Sequence, residues 1–464
     1  MWGHNWMEWT GALALVLVSC ASPEDDAVDE GSSTPGGKAD ELFEESPLYL
    51  TGAFDGSQRF GMWIDTLEFT RAFEREHGKP LHWTYFINTC YYDRTVSGSW
   101  IGTAQSRDEE LARWALTQQA LNEGHEIANH AVLHQDGSSW SAARWRTEFQ
   151  NFHDQTDANL FIPIPDADNG GFVFPNWTAD DTAGEGEKGA ACDTDDDCGS
   201  GICLPLTPEL SVCSDRCNKN LPCGEGYACG APTWNTSTDV CVPLPDYPVE
   251  YRGEVLFDEE GNPNPDSQWL STYRVVGFRA PQLAHNAALF EVMTEFGYAY
   301  DTSKILPPGL PQKTQHGSRT FDKIYQFALM KHPGSRTIPM DYNYKVNEAS
   351  GDRMLQDYKN SIVAAYENGR QPWNIGHHFA LWRGGAYWRA MKDAFTYAAE
   401  GCPADDGTMQ CEEVEFPTFK DLVGIADNKA DGIGEDIFLV DQDASVPNDV
   451  DECPCGDDEE EGAH

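Results

Sequence analysis

The sequence predicts an α/β protein whose strands run parallel. Two observations carry that expectation: a helix-then-strand unit recurs along the chain, and conspicuous polar residues stand where each strand runs out. A third qualifies it, because a dense run of cysteines between Ala190 and Pro243 interrupts the repeat.

The elements can be justified in order. A helix over about Met62 to His77 stops at Gly78, ahead of the strand-like Leu81-His82-Trp83-Thr84-Tyr85-Phe86-Ile87. Leu111, Trp114, Ala115, Gln118 and Leu121 fall at helical spacing; Gly124 ends that helix and a short strand leads into His130. Leu289, Val292, Met293 and Phe296 give the i, i+3, i+4, i+7 stripe of an amphipathic helix. Gly297 stops it, and Tyr298-Ala299-Tyr300 leads into Asp301. A further copy has Leu355, Tyr358, Ile362 and Tyr366, then Gly369, then Trp373-Asn374-Ile375 leading into His377 and His378. Strands alternating with helices imply parallel pairing. In an α/β barrel the strand ends that carry these polar residues hold the active site.

The chain has 464 residues, 14 cysteines and a formal charge of −46. Its length suits one large catalytic domain with additions, or two to three smaller domains. Its acidity repels phosphate backbones and argues against nucleic acid as a partner. Gly11 to Val18 (GALALVLV) is an apolar core too short to span a bilayer. It ends in Leu17-Val18-Ser19-Cys20, which resembles the lipobox of bacterial lipoproteins and implies a lipid anchor to the membrane at Cys20. The leader lacks the Lys or Arg a signal peptide usually carries, so plain secretion is the alternative. Residues 21–45 are acidic and nearly free of large apolar side chains, the composition of an unfolded tether. The expected division is a leader over 1–20, that tether, a barrel in two parts over 46–165 and 250–445, a cysteine module over 186–243, and an acidic tail over 446–464.

In the module, Cys192, Cys198, Cys203, Cys213, Cys217, Cys223, Cys229 and Cys241 stand among few aliphatic residues. So small a segment needs staples, and the even count favours four disulfides of open pairing. Zinc is the poorer reading, since the spacings form no two CxxC pairs and no histidine lies inside. The run Asp193 to Asp197 lacks the glutamate that a calcium loop needs at its twelfth position, where Leu204 stands. The module either binds a polymer or partner, or is an inert insertion. Elsewhere Cys402 and Cys411 could close a loop, while Cys90, Cys453 and Cys455 leave an odd thiol.

"GHEIANHAVLH" (Gly124 to His134) places His130 and His134 four residues apart, a spacing that brings both rings to one face of a helical turn. Alone it is weak. It gains weight beside "TGAFDG" (Thr51 to Gly56), "VVGFRAP" (Val275 to Pro281), Tyr300-Asp301-Thr302 and "NIGHHFALW" (Asn374 to Trp382). In order and spacing these stretches resemble the polysaccharide deacetylases of carbohydrate esterase family four, closest to the chitin-deacetylase-like branch. The likeness covers about Pro47 to Ile162 and Tyr251 to Val440; its second and third motifs are specific, the first and last looser.

The resemblance implies a distorted (β/α) barrel, a divalent metal, usually zinc, and hydrolysis of N-acetyl or O-acetyl groups on an acetylated polysaccharide. Carried over by position, His130 and His134 would be metal ligands and His378, counted from Pro372 and preferred to His377, the general acid. Arg279 would orient the catalytic acid, Asp301 would help hold the histidine, and Trp382 and Pro281 would contact substrate. Zinc on three protein ligands activates water, and an imidazolium can protonate a departing nitrogen.

Two departures stand out. The family has adjacent aspartates after the first strand, one a base and one a ligand, whereas here Asp55 is followed by Gly56. Aligned on Phe54, Asp55 is the base; aligned on Gly56, it is the ligand. The ligand role is favoured, because two histidines alone hold zinc poorly. Gln282 replaces a frequent tyrosine, which matters less because the backbone there is the expected oxyanion donor. The competing classes are a catalytically inactive carbohydrate-binding protein on the same barrel, and a scaffold displaying the cysteine module.

Overall fold

The computed structural model describes residues 46–166, 171–231, 238–247 and 272–431. Cys20, Cys453, Cys455, the expected tether and the expected tail lie outside them.

The chain opens with β1 (Leu48–Asp55), α1 (Phe60–His77), β2 (Trp83–Ile87), α2 (Arg107–Asn122), β3 (Glu126–Asn129) and α3 (Ala142–Asn159). Short strands β4 (Cys203–Pro205), β5 (Ser211–Cys213), β6 (Arg216–Cys217), β7 (Tyr227–Cys229) and β8 (Asp239–Pro243) form the cysteine module. The repeat resumes with β9 (Gly277–Phe278), α4 (Ala287–Glu295), β10 (Tyr300–Asp301), β11 (Ile305–Leu306), β12 (Gln312–His316), β13 (Arg319–Gln326) and β14 (Leu329–Met330). It ends with α5 (Asp341–Val346), α6 (Gly351–Glu367), β15 (Trp373–His378), α7 (Trp382–Ala399), β16 (Val414–Glu415) and α8 (Phe419–Asp431).

The predicted helices are present and their boundaries have local causes. Ser106, Asn286 and Ser350 accept hydrogen bonds from the third residue of α2, α4 and α6, satisfying backbone donors that the helix itself leaves free. Gly78 closes α1 in the left-handed conformation, its N–H bonded to the Glu74 carbonyl.

The main sheet runs β12-β13-β10-β9-β3-β2-β1-β15, with β16 also on β1. Every pairing in it is parallel except the β12–β13 hairpin. It curls: Asn374 on β15 donates to the Ala328 carbonyl, and the Gly376 N–H donates to the Pro339 carbonyl. The circuit is thus completed by irregular chain after β13 rather than by a full ladder, which is the distorted barrel that the resemblance implied.

Side chains alternate across it as the pleat requires. Tyr49, Ala53, Phe86, Ala128 and Tyr300 pack inside with Phe419 and Leu422 of α8. Leu48, Leu50, Phe54, Trp83 and Ile127 face the helices. Asp55, two places beyond Ala53, therefore belongs to the inward-facing set.

The module has four disulfides, Cys192–Cys203, Cys198–Cys213, Cys217–Cys229 and Cys223–Cys241, and Cys402–Cys411 closes a loop elsewhere. Cys90 is free and buried. The module does possess apolar contacts: its Leu204, Leu206, Val212 and Val242 join the core of the α/β unit. Its Asp239 carboxylate accepts from the N–H groups of Phe60 (2.9 Å) and Gly61 (2.8 Å), capping α1 where Arg59 offers no side-chain cap.

Candidate active site

Four strand ends bring the site together. Asp55 lies beside His378 in the β1–β15 register and beside Phe86 in β1–β2. Asn129, which precedes His130, pairs with Phe278, which precedes Arg279. The backbone continues this stepping past the ladder, with the His130 N–H on the Ile87 carbonyl and the Arg279 N–H on the Asn129 carbonyl.

Asp55 is buried and its Oδ1 accepts from Arg279 Nη1 at 2.6 Å. Arg279 is fully buried, donates through Nε to Thr302 at 2.6 Å, and lies over the Phe86 ring at 4.3 Å. Burial by itself would raise the Asp55 pKa, but the charges of Arg279, then His130 and His378, outweigh it and hold the carboxyl below its ordinary value. Asp55 is therefore an ionised acceptor gripped by a guanidinium. The expectation placed Arg279 on the catalytic acid; the structure places it on Asp55.

His130 and His134 are close, their ring centroids 5.0 Å apart, but no helix brings them together. They follow β3 in a loop in which Ala131 and His134 both adopt positive φ, 62° and 54°. Glu148 fixes the loop by accepting from the N–H groups of Val132 and Leu133, and Asn88 donates to the carbonyls of His130 and Ala131. His130 Nδ1 donates to the Arg279 carbonyl at 2.8 Å, which leaves Nε2 as the bare nitrogen. Burial depresses the pKa of both rings, that of His134 to about 3, so both are neutral imidazoles.

Neutral imidazoles suit a metal, and the buried Nδ1 of His134 has no hydrogen-bond partner. A zinc hydrolase nevertheless needs a third protein ligand. Asp55 gives Oδ1 to Arg279, and among the described residues no trio of potential ligand atoms within 4.8 Å of one another includes either histidine. The trios that do meet that distance consist of cysteines already in disulfides. As the atoms stand, the two histidines meet no third ligand atom at that distance, and Asp55 Oδ1 is taken by Arg279.

His378 has a partner the sequence did not reveal. Asp341, the buried first residue of α5, meets His378 Nδ1 at 2.7 Å and accepts from the His378 N–H at 3.2 Å. Burial alone would lower the His378 pKa; the Asp341 charge and hydrogen bond, then the Asp55 charge, reverse this and raise it above its ordinary 6.5. His377 also reaches Asp341, at 3.2 Å, but its ring packs toward Phe54 and Trp388 in the layer under the helices.

Asp301 does not hold a histidine. Its carboxylate accepts from the Ser303 N–H and hydroxyl and from Gln326 Nε2, closing the turn after β10. Pro281 is buried and opens a short turn in which Gln282 is exposed with φ 57°. Trp382 is half-buried, its ring centroid 5.0 Å from that of His378. Tyr387 and Trp388 are core residues.

Several solved structures are similar to this chain. One is a probable polysaccharide deacetylase from Pseudomonas aeruginosa, with a TM-score of 0.39 and 12% identity over 81% of this chain and 89% of that one. Another is a family 4 carbohydrate esterase from Streptomyces lividans in complex with acetate, at 0.31 and 11% over 80% and 97%. A third is the chitin deacetylase from the fungal pathogen Colletotrichum lindemuthianum, at 0.31 and 11% over 75% and 84%. No family model matches the chain and no curated protein does. At this level of identity the likeness assigns no activity.

Proposed function

We propose that this protein hydrolyses acetyl groups on an acetylated carbohydrate, with Asp55 as general base and His378 as general acid. One observation carries the reading: an ionised carboxylate locked to Arg279 and a histidine of raised pKa locked to Asp341 occupy paired positions on adjacent strands. Two groups whose surroundings push their pKa values apart are the arrangement that acid–base hydrolysis requires. Asp55 takes a proton from water as the oxygen attacks the acetyl carbonyl. The buried Arg279 cation keeps Asp55 ionised and in place for that step. His378 then gives its proton to the departing sugar nitrogen or oxygen, and Asp341 keeps the ring turned and charged for that transfer. The motifs that resemble the deacetylases supply these same residues, apart from Asp341.

Gly56 favours a second reading, a carbohydrate-binding protein without turnover, because it leaves the two histidines short of a ligand. Acetate release from chitin oligomers, acetylated xylan and peptidoglycan separates the two. Release that disappears in Asp55→Asn supports hydrolysis; binding without release from any of them supports the second reading.

Five disulfides among the described residues suit an oxidising, exported setting. Cys20 would then carry the membrane anchor, and Cys20→Ser should move the protein into the soluble exported fraction.

A further inference from the structure

The carboxylate that holds His378 stands on a helix that cannot hold itself. α5 has six residues, and isolated helices below roughly 12–15 residues are marginal in water. Its two buried residues are Asp341 and Tyr344, one turn apart and therefore on one face. Asp341 is turned to His378. That leaves Tyr344 to fix the helix to the rest of the fold.

Tyr344 does so through a chain of polar groups centred on His332. Its hydroxyl meets His332 Nε2 at 2.9 Å and donates to Asp357 Oδ2 at 3.1 Å. His332 Nδ1 lies 2.7 Å from the Ser361 hydroxyl, and Arg353 Nε donates to the same Asp357 oxygen at 3.0 Å. Arg353, Asp357 and Ser361 all stand on α6. His332, Tyr344 and Ser361 are buried. The His332 ring also stacks on Tyr358 of α6, their centroids 5.7 Å apart and their planes at 28°. Burial pushes the His332 pKa down to about 4, so its ring is neutral. The directions of the bonds then follow. Tyr344 gives its one proton to Asp357, so its oxygen accepts from His332 Nε2–H and the bare Nδ1 accepts from Ser361. Both ring nitrogens are satisfied, and removing either partner leaves a buried polar group without one.

Resting on the acid role of His378 in the acetyl-removal reading, we propose that His332 and Tyr344 are positioning residues. Joined to α6, they fix α5 so that Asp341 bears on His378 when the proton is transferred. Proton NMR combined with acetate release from chitin oligomers, acetylated xylan and peptidoglycan tests this. Tyr344→Phe, which loses one oxygen, and His332→Leu should each shift or broaden the downfield signal of the His378 Nδ1 proton. That signal is identified by its loss in Asp341→Asn. In both variants kcat should fall by about 10–100-fold with KM unchanged, because a slightly misplaced catalytic group costs that much. His332→Gln, which still offers Tyr344 a side-chain N–H, should recover most of the signal and of the rate. Tyr92→Phe, which removes a buried hydroxyl bonded to Thr117 on α2, should leave the signal in place. Far-UV circular dichroism restricts the comparison to folded variants. A wild-type signal in both Tyr344→Phe and His332→Leu overturns the proposal, as does a wild-type kcat in both. A signal that moves in these variants while the wild type releases no acetate defeats the acetyl-removal reading and leaves the positioning role standing.

Discussion

Asp55 and Arg279 meet at 2.6 Å with both side chains buried, although β9, which ends one residue before Arg279, lies three strands from β1 in the sheet. A buried pair of this kind is held by mutual need: removing one partner leaves the other as an uncompensated charge. The pair therefore fixes both the shape of the barrel mouth and the protonation state of its carboxylate.

Asp55→Asn keeps the shape and removes the base. Turnover should fall by about 10²–10⁴-fold, measured as acetate released per unit time. Asp55→Asn and Asp55→Ala should both lower unfolding stability, the latter by about 3–5 kcal/mol, since each strands the Arg279 cation and only Asn keeps an acceptor oxygen for it. Full acetate release by Asp55→Asn would remove Asp55 from the chemistry.

The same carboxylate decides the metal question. Because Asp55 serves Arg279, Asp55→Ala should leave zinc content where the wild type has it, as read by elemental analysis after dialysis. Loss of zinc in that variant would return Asp55 to the ligand set. Gly56→Asp should instead raise zinc retention. At φ 88° Gly56 has room for a Cβ, with Phe379 Cβ the nearest atom at 3.8 Å, so the obstacle is backbone conformation rather than space. That conformation costs a non-glycine residue about 1–2 kcal/mol.

The pH profile should report the Asp341–His378 pair. His378 works as an acid only while protonated, so activity falls as pH rises through its pKa, which Asp341 holds above the ordinary value. Asp341→Asn removes the raising charge and lets burial prevail. The alkaline limb of kcat should then move to lower pH by about one to three pH units, while the acid limb set by Asp55 stays in place. An unmoved alkaline limb would mean that Asp341 acts only as a structural brace.

The readable part of this fold was the local part. Stripes such as Leu289, Val292 and Met293, followed by a stop such as Gly297, are set within a dozen residues, so periodicity exposed them. Asp55, His130, Arg279 and His378 could be picked out because each ends a strand or follows one directly. Asp341 was not, because it begins a six-residue helix in the irregular stretch that closes the sheet, and only that closure delivers it to His378. Asp301 occupied a strand end as Asp55 does, but Ser303, two residues on, captures its carboxylate. His130 and His134 are neighbours as their spacing implied, yet two left-handed residues and the Glu148 anchor, none visible in a spacing rule, make the contact.

The cysteine module is coupled to the site through Asp239. Its carboxylate caps α1, and α1 begins only five residues after Asp55, so a cross-linked segment distant in sequence steadies the turn that follows the base. Losing a helix cap costs about 0.5–2 kcal/mol, and Asp239→Ala should lower stability by that amount. Asp239→Asn, which keeps one acceptor oxygen, should lose less. Reduction of the module should act in the same direction and further, because its disulfides restrain a segment with little core of its own. The check is thermal unfolding followed at a far-UV wavelength dominated by the helices, with and without reductant, for wild type and Asp239→Ala. A midpoint that falls on reduction in the wild type and falls less in the variant, where the cap is already gone, ties the module to α1. Equal falls in both would make the module an independent unit, and its link to the turn after Asp55 would carry no energy.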